Sequence, residues 1–243
     1  MLMKEPPRKP LQIAIDGPVS AGKGSVARAL AERLKILYID TGAMYRASAY
    51  VAKKLGIAWD DVSSLVKQLQ GVRLEIRQPA PNEQDGRLCT VLVDGEDVSW
   101  KIRSEDIGFG ASVVSQYPKV REILVAKQQA MARGRSVVME GRDITTRVLP
   151  KASLKIFLTA SDKERARRRQ QQLRERGIVL AYEKVLDDLR KRDLQDTTRK
   201  ADPLKVTPGV WVLDTNHLTM QKVVERILEE VERRGLGIGG EGV

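Results

Sequence analysis

The chain has 243 residues, enough to bury a sizeable core, and its hydrophobic content of 42% is ordinary for a globular protein. No apolar run is long enough to cross a bilayer, and the charged, proline-rich start lacks the apolar core of a signal peptide. The only cysteine is Cys89 and the only histidine is His217, which excludes an internal disulfide and gives no support to zinc or thiol chemistry. We therefore expect a cytoplasmic protein, and its net charge of +11 indicates a polyanionic partner.

A predicted strand, Leu11–Asp16, is followed by a glycine-rich loop and a helix predicted over Ser25–Lys35. Gly17, Gly22 and Lys23 have the spacing of a phosphate-cradling loop, in which glycines let several backbone N–H groups point at one anion. The alternative is a glycine-rich turn with an incidental lysine, but the order strand, loop and helix favours nucleotide binding. The predicted ATP-binding residues are Gly17, Pro18, Val19, Ser20, Ala21, Gly22, Lys23, Gly24 and Ser25.

One position departs from the usual phosphate loop. Most P-loop enzymes place the Ser or Thr that holds magnesium directly after the lysine, whereas this chain has Gly24 and then Ser25. We therefore expect the Ser25 hydroxyl to meet a phosphate oxygen and magnesium to be held mostly by water and nucleotide, so no residue is named as a metal ligand. The G-K-G-S ending resembles that of the nucleoside-monophosphate kinases.

The second predicted strand, Leu37–Asp40, leads into D-T-G-A-M-Y-R and a helix predicted over Ala43–Leu55. Ligands of open parallel sheets lie beyond the carboxyl ends of the strands, so this segment should face the nucleotide loop. Taken alone, the motif is equally typical of an ordinary helix start with Thr41 as the cap.

The stretch between the second and third parallel strands is long and has a different pattern. Val72–Arg77 and Leu88–Val93, with Asp97–Ser99 nearby, predict a small antiparallel sheet. A helix over Pro118–Arg133 then leads to the third parallel strand, Ser136–Met139. This stretch is therefore an insertion into the alternation of strands and helices.

Arg142 and Asp143 follow the third parallel strand in V-V-M-E-G-R-D-I. The fourth and fifth strands are predicted over Leu154–Leu158 and Val210–Asp214. A charged pair at the end of a strand is either a solvated loop or part of a site. Its position at the carboxyl edge of a parallel sheet favours a site.

A charged segment separates the fourth strand from the fifth. It predicts helices over Asp162–Arg176 and Tyr182–Leu194, and it contains the run R-A-R-R-R. Because charges of both signs alternate here, a solvated helical face explains most of these arginines. A last helix is predicted over Met220–Arg234, and the glycine-rich end, Gly235–Val243, is expected to be disordered.

The alternation of strands and helices predicts an α/β fold built on a five-stranded parallel sheet. We expect one unit over residues 11–243, with an insert that holds the antiparallel sheet and a helical lid. The expected parts are a core (11–55, 118–160 and 205–234), the insert (56–117), the lid (161–204) and flexible tails (1–10 and 235–243).

Five motifs in this order and spacing resemble the bacterial-type cytidylate kinases, which are P-loop nucleoside-monophosphate kinases. They are G-P-V-S-A-G-K-G-S, D-T-G-A-M-Y-R, E-G-R-D-I, the R-A-R-R-R run and R-D-L-Q-D-T-T-R. The resemblance covers roughly residues 12–232, and the antiparallel insert strengthens it. It implies the sheet order of P-loop kinases with the nucleotide strand central, ATP as donor, CMP or dCMP as acceptor, magnesium as cofactor, and a monomer.

The resemblance also implies roles for individual residues. Lys23 and Arg168 would contact the donor phosphates, Arg168 from the lid. Arg142 would bind the acceptor phosphate and, with those two, form the catalytic set. The implied acceptor-binding residues are Thr41, whose place is often serine in the family, Arg46 and Arg142 for the phosphate, Ser112, Arg121 and Asp143 for cytosine, Arg192 and Asp196 for the ribose, and Arg199 for the base or a phosphate.

The chemistry of these residue types agrees with those roles. Asp143 and Ser112 can accept hydrogen bonds from the exocyclic amine of cytosine, while Arg121 donates to its acceptor atoms. Uracil would turn an oxygen towards Asp143, so repulsion would contribute to specificity. Phosphoryl transfer to a nucleoside monophosphate needs no base, because the acceptor is already anionic, which fits a site rich in arginine.

Two alternatives use the same loop. A P-loop kinase of another small phosphate or hydroxyl acceptor would share the loop and lid but lack the three base-reading residues. A nucleic-acid-binding ATPase would use the basic surface, but the few aromatic residues are not interleaved with basic ones as base stacking requires. The sequence therefore favours small-molecule substrates over nucleic acid or a membrane.

Overall fold

A computed structural model describes residues 9–175 and 177–236. The sequence-based expectations for residues 1–8 and 237–243 lie outside that part of the chain. The core is a five-stranded parallel sheet with the order β2–β6–β1–β7–β8, which confirms the predicted fold class and the central place of the first strand. The strands are β1 (Gln12–Asp16), β2 (Leu37–Asp40), β6 (Val137–Gly141), β7 (Leu154–Thr159) and β8 (Trp211–Asp214).

The central strand is buried because its sequence is apolar on both faces. Ile13, Ala14 and Ile15 are fully buried, and β1 pairs in parallel with β6 on one side and β7 on the other. Because all three strands run in the same direction, their carboxyl ends lie at one edge of the sheet. The helices that accompany the sheet are α1 (Lys23–Leu34), α2 (Thr41–Lys54), α5 (Pro118–Ala132) and α8 (Met220–Arg233).

The start of α2 differs from the simple interpretation of its sequence. Asp40 is the N-cap, and its side chain accepts a hydrogen bond from the Ala43 N–H at 2.9 Å. The Thr41 hydroxyl instead donates to the Glu140 carbonyl at 2.7 Å. Thr41 therefore ties α2 to β6, and the alternative that made it the helix cap is wrong.

The predicted antiparallel sheet is present and has three strands, β3 (Leu74–Arg77), β4 (Thr90–Val93) and β5 (Glu96–Asp97). The loose connection between β3 and β4 is fixed by Glu83. Its carboxylate accepts from the Arg77 guanidinium at 2.6 and 2.7 Å and from the Thr90 hydroxyl at 2.8 Å. This sheet packs through its buried apolar side chains into the main core.

Two helices of the insert, α3 (Val62–Gly71) and α4 (Glu105–Val114), have no counterpart in the predicted elements. Two glycines in α4 weaken its helical sequence pattern, but they let the helix lie close to Arg46 of α2 and to Trp59. A Cβ on Gly108 would lie 3.0 Å from an Arg46 nitrogen, and one on Gly110 would lie 2.4 Å from the Trp59 ring. Gly110 is therefore required by the packing against the Trp59 ring, and Gly108 leaves room for the Arg46 guanidinium.

The charged segment forms two helices, α6 (Asp162–Glu175) and α7 (Tyr182–Thr198), which we call the lid helices. They share a small apolar core of their own. Helix α7 continues four residues beyond its predicted end, and the Thr198 hydroxyl bonds back to the Leu194 carbonyl at 2.6 Å. Within the described residues, none of the helices is long and apolar enough to cross a membrane.

Candidate active site

The glycine-rich loop joins β1 to α1 in a geometry that few residues other than glycine could adopt. A Cβ on Gly17 would lie 2.1 Å from the Leu158 carbonyl oxygen, so the loop crosses directly over β7. Gly22 has φ +88° and caps α1, which starts at Lys23, two residues earlier than predicted. The N-terminus of α1 therefore opens directly beneath the loop, as a site for phosphate requires.

Lys23 is the cation of this loop. Its side chain is buried, and its ammonium donates to the Pro18 carbonyl at 2.8 Å. Burial, and then the positive charge of Arg142, lower the pKa of Lys23 well below its ordinary value. An anion beside Lys23 would favour its charged form, so the loop is prepared to receive phosphate oxygens.

Asp16, the last residue of β1, has a structural role. Its carboxylate accepts from the Ile144 and Thr145 N–H groups, both at 2.8 Å, and from the Thr145 hydroxyl at 2.6 Å. These bonds hold the segment that follows Arg142 and Asp143. The strand that carries the phosphate loop therefore also positions the second charged motif.

A cavity of about 540 Å³ opens at the carboxyl edge of the sheet. The phosphate loop and the ends of β2 and β6 contribute to its wall, together with the insert and the lid helices. Gly17, Pro18, Ala21 and Arg168 are the predicted site residues that are not in its wall. The predicted residues that line it are Val19, Ser20, Gly22, Lys23, Gly24, Ser25, Thr41, Arg46, Ser112, Arg121, Arg142, Asp143, Arg192, Asp196 and Arg199.

Positive charge is concentrated on the insert side of the cavity. Arg46 donates to the Ile102 carbonyl at 3.1 Å, and Arg103 lies 3.2 Å from the Asp40 carboxylate. Burial, followed by the charges of Arg103 and Arg192, lowers the pKa of Arg46 to about 10. An anion placed here would relieve this repulsion. Arg103 was not predicted, because its sequence surroundings carry no motif.

A chain of alternating charges lines the base of the cavity. Arg121 and Asp143 are both buried and form an ion pair at 2.5 Å. Arg199 lies 3.9 Å from Asp143 and 3.7 Å from Asp196, whose carboxylate pairs with Arg142 at 2.7 Å. Burial alone would raise the pKa of Asp196, but Arg142, Arg199 and Lys23 together outweigh it and the pKa is lowered. Five of the predicted acceptor residues, Arg121, Arg142, Asp143, Asp196 and Arg199, thus form one network.

Two further residues belong to this network and were missed in the sequence. Asp202 accepts from the Arg121 Nε at 3.0 Å, and its own carbonyl accepts from the Arg199 guanidinium at 2.6 and 3.0 Å. Tyr45 lines the cavity with its ring 5.4 Å from the Arg121 guanidinium, and its buried hydroxyl has no partner among the described residues. The tyrosine stands inside D-T-G-A-M-Y-R, so its motif could have indicated it.

The insert and the lid meet at Ser112. Its hydroxyl donates to the Gln195 side-chain oxygen at 2.9 Å, and the Gln195 amide donates back to the Ser112 carbonyl at 3.0 Å. Arg169 of α6 also lies 3.1 Å from Glu105 of α4. The hydroxyl of Ser112 keeps its acceptor capacity towards the cavity, because in these contacts it acts as a donor.

The structure does not bring Arg168 to the cavity. Its guanidinium donates to the Thr215 hydroxyl at 3.0 Å and the Thr215 carbonyl at 2.6 Å, and it pairs with Glu164 at 3.1 Å. Adjacent helix residues are about 100° apart, and it is Arg169 that lines the cavity. To reach a donor in the cavity, Arg168 would have to leave Thr215 at the end of β8.

Comparison with known proteins agrees with this geometry. The model of the family described as cytidylate kinase matches residues 13–233. The chain belongs to the cytidylate kinase family. A cytidylate kinase of Caldanaerobacter subterraneus subsp. tengcongensis is 46% identical over 227 residues, which are 93% of this chain and 97% of that protein. A cytidylate kinase of Geobacillus kaustophilus is 45% identical over 93% of this chain and 99% of that protein.

Among solved structures, an uncharacterized protein from Eubacterium ventriosum has a similar fold. Its TM-score is 0.50 with 12% sequence identity, and the match covers 93% of this chain and 99% of that chain. At this identity the likeness concerns the fold alone. Membership of the cytidylate kinase family thus rests on the sequence comparisons, to which the site geometry adds a consistent cavity.

Proposed function

We propose that this chain transfers the terminal phosphoryl group of ATP to CMP or dCMP, giving ADP and CDP or dCDP. The observation that carries the proposal is one continuous cavity with a phosphate loop at one end and a buried Arg121–Asp143 pair at the other. The first feature suits a nucleoside triphosphate and the second suits a polar base. The cytidylate kinase relatives support the same pairing of substrates.

The donor phosphates would lie on the loop. The backbone N–H groups between Ser20 and Ser25, with the N-terminus of α1, offer directed hydrogen bonds to anionic oxygens. Lys23, already buried beneath the loop, would neutralise the outer phosphates. Arg142 stands between the loop and the acceptor network, where its charge acts on Lys23 and its guanidinium pairs with Asp196.

The acceptor phosphate would be bound by Arg46 and Arg142, and Arg103 adds positive charge on the same side. The cytosine would meet Ser112, Arg121 and Asp143. Uracil presents an oxygen where cytosine presents an amine, so the Asp143 carboxylate would repel it. The remaining proposed acceptor contacts are Arg192 and Asp196 to the ribose, Arg199 to the base or a phosphate, and Thr41 near the phosphate.

The reaction requires positioning more than proton transfer. The acceptor phosphate carries anionic oxygens at neutral pH, and one of them can attack directly. The site must therefore align two polyanions, neutralise their charge and exclude water. Arginines on both sides supply the charge. The lid helices and the insert, which already touch at Ser112 and Gln195, would exclude water.

The residues at the loop fit a magnesium ion held through water. A Cβ on Gly24 would lie 3.3 Å from a Glu140 carboxylate oxygen, so this acid stands beside the position where other P-loop enzymes have a Ser or Thr. Asp40 and Glu140 both line the cavity, and they would hold the hydrated ion. Magnesium supplies charge neutralisation of the donor phosphates when bound. No group of three or more His, Cys, Asp and Glu side chains in residues 9–175 and 177–236 is arranged as a metal site.

We also expect Arg168 to act on the donor from the lid, after leaving Thr215. The proposed enzyme works as a cytoplasmic monomer, and each copy carries all the residues assigned to its site. Size-exclusion chromatography with light scattering would test the monomer. A mass of twice 27.2 kDa would contradict it.

A coupled assay of ADP formation tests the proposed function. The purified chain with ATP and magnesium is offered CMP, dCMP, UMP, AMP and shikimate as separate acceptors. We expect the highest kcat/KM with CMP or dCMP and a much lower value with AMP and shikimate. Preference for shikimate or AMP would contradict the assignment of Ser112, Arg121 and Asp143 to a pyrimidine.

A further inference from the structure

The tip of the phosphate loop is packed into the lid. The side chain of Val19 lies against the apolar core that the lid helices share, which consists of Ala166, Leu173, Val185 and Leu189. This core is separate from the main core beneath the sheet. One residue of the loop therefore belongs to the packing of the lid.

The polar groups of the same residue are also held by the lid. Arg165 of α6 donates from one terminal nitrogen to the Val19 carbonyl at 3.0 Å, and its other terminal nitrogen pairs with Asp193 of α7 at 2.7 Å. The second oxygen of Asp193 accepts from the Val19 N–H at 3.4 Å. The Arg165 Nε donates to the Ala160 carbonyl at 3.0 Å, at the point where the lid begins.

Burial distinguishes Arg165 from its neighbours in the arginine run. Its side chain is 7% exposed, whereas that of Arg167 is 76% exposed and pairs with Glu164 on the same helix. A buried guanidinium is costly unless its donors are satisfied. Here the acceptors are the Val19 carbonyl, the Ala160 carbonyl and the Asp193 carboxylate. Arg165 therefore joins the phosphate loop to both lid helices, whereas the ion pair of Arg167 lies within its own helix.

The loop needs such support. Ser20, which follows Val19, has φ +58°, a conformation that non-glycine residues seldom adopt without help from their surroundings. Pro18 and Ala21 have no polar side chain that could fix the neighbouring peptides. The two hydrogen bonds on Val19 therefore orient the peptide groups that enter and leave this residue, next to the N–H groups that would meet ATP.

We propose that Arg165 and Asp193 are positioning residues for the donor: their ion pair, clamped on Val19, holds the phosphate loop in its ATP-binding geometry. The clamp makes that geometry depend on both lid helices. This inference rests on the proposed binding of ATP by the loop, and it concerns neither the acceptor nor its base.

A purely structural role for the pair is the competing explanation. If Arg165 only joined α6 to α7, its loss would lower thermal stability and affect both substrates alike. If it positions the loop, its loss will raise the KM for ATP while the KM for CMP stays the same. Misplacement of binding groups by a fraction of an ångström is enough for such an effect.

The experiment compares Arg165→Met with Arg167→Met, a matched change on the same helix. We measure kcat, the KM for ATP at saturating CMP, the KM for CMP at saturating ATP, and the dissociation constant of ATP by calorimetry. We expect Arg165→Met to weaken ATP binding on the order of tenfold, the scale of a lost charge-assisted hydrogen bond, with the KM for CMP within about twofold. Arg167→Met should match the parent chain.

Two further variants keep the test decisive if Arg165→Met fails to fold. Asp193→Asn keeps an acceptor for the Val19 N–H and removes the charge, so it should weaken ATP binding less than Arg165→Met. Arg165→Lys should restore binding only in part, because an ammonium cannot span Val19 and Asp193 as the planar fork does. Unchanged ATP affinity in whichever of these variants fold would overturn the proposal, as would equal losses for ATP and CMP.

The calorimetric arm separates this proposal from the proposed function. If the parent chain binds ATP but does not phosphorylate CMP, the acceptor assignment fails and the clamp can still be judged by ATP affinity. If the parent chain phosphorylates CMP and the variants bind ATP normally, only the clamp is refuted.

Discussion

The two ends of the cavity are constructed differently. The proposed donor end is one continuous stretch, Gly17 to Ser25, which offers backbone N–H groups and one lysine. The proposed acceptor end is built from side chains of α2, α4, α5 and α7 and the end of β6, and opposite charges hold several of those side chains in place. A contiguous backbone site can be recognised in a sequence by itself. A site assembled from distant side chains was indicated here only through the resemblance to a family, and the fold then brings those side chains into one cavity.

The largest expected effect tests the donor end. Lys23→Ala should lower kcat/KM by more than about a thousandfold, because it removes the buried cation beneath the transferred phosphates. Lys151→Ala, at an exposed position outside the cavity, is the control. Steady-state ADP formation and a circular dichroism spectrum decide between lost chemistry and lost fold. Normal turnover in a folded Lys23→Ala variant would contradict the proposal that Lys23 binds the donor phosphates.

The second-largest expected effect tests the lid helices, which lie between the two ends of the cavity. Arg168→Ala should lower kcat roughly a thousandfold if the guanidinium moves from Thr215 to the donor phosphates in the transition state. Arg167→Ala should change the free energy of unfolding by no more than about 0.5 kcal/mol and leave the rate almost unchanged. Single-turnover rates at saturating ATP and CMP make the comparison.

Arg169→Ala belongs in the same series, because Arg169 lines the cavity in this structure. A larger loss for Arg169→Ala than for Arg168→Ala would transfer the lid role to Arg169. Similar mild losses for all three variants would mean that none of Arg167, Arg168 and Arg169 acts on the transferred phosphate.

Base reading at the acceptor end should give a smaller and selective effect. Asp143→Asn should reduce kcat/KM for CMP about ten- to a hundredfold, the scale of one charge-assisted hydrogen bond. UMP, which the carboxylate repels, should lose less or gain. The ratio of the two values is the measurement. An equal fall for both acceptors would mean that Asp143 serves only to hold Arg121.

The smallest expected effect tests a residue that the sequence motifs did not indicate. Asp202→Asn should lower kcat/KM for CMP by up to about tenfold, because it removes the carboxylate charge that faces Arg121 Nε while Asp143 still holds the other side. Asparagine suits the φ of +46° at this position. The KM for ATP should be unchanged, and a rise in it equal to that for CMP would contradict a role confined to the acceptor end.

Sequence patterns predicted the parallel sheet well because its signals are local. Apolar runs that end in charged turns located all five strands of the main sheet within a few residues. Helix α4 was missed because Gly108 and Gly110 weaken its pattern, yet the close contact with the Trp59 ring requires Gly110. Tertiary packing outweighed local propensity there.

The site shows the same limit. The residues of known motifs line the cavity for the most part, but Arg165 looked like one more solvated arginine because burial has no signature inside a charged run. Asp202 and Arg103 were missed because each acts on a partner far away in the chain, Arg121 and Asp40 respectively. Pairings across such distances are properties of the fold.

The lid is anchored at both of its ends, and each end is anchored to a different half of the cavity. Near its start, Arg165 holds the phosphate loop, and near its end, Asp202 holds Arg121. Both contacts join the lid to residues that line the cavity, Val19 and Arg121. Opening of the lid for substrate entry or product release would therefore have to break hydrogen bonds at both places.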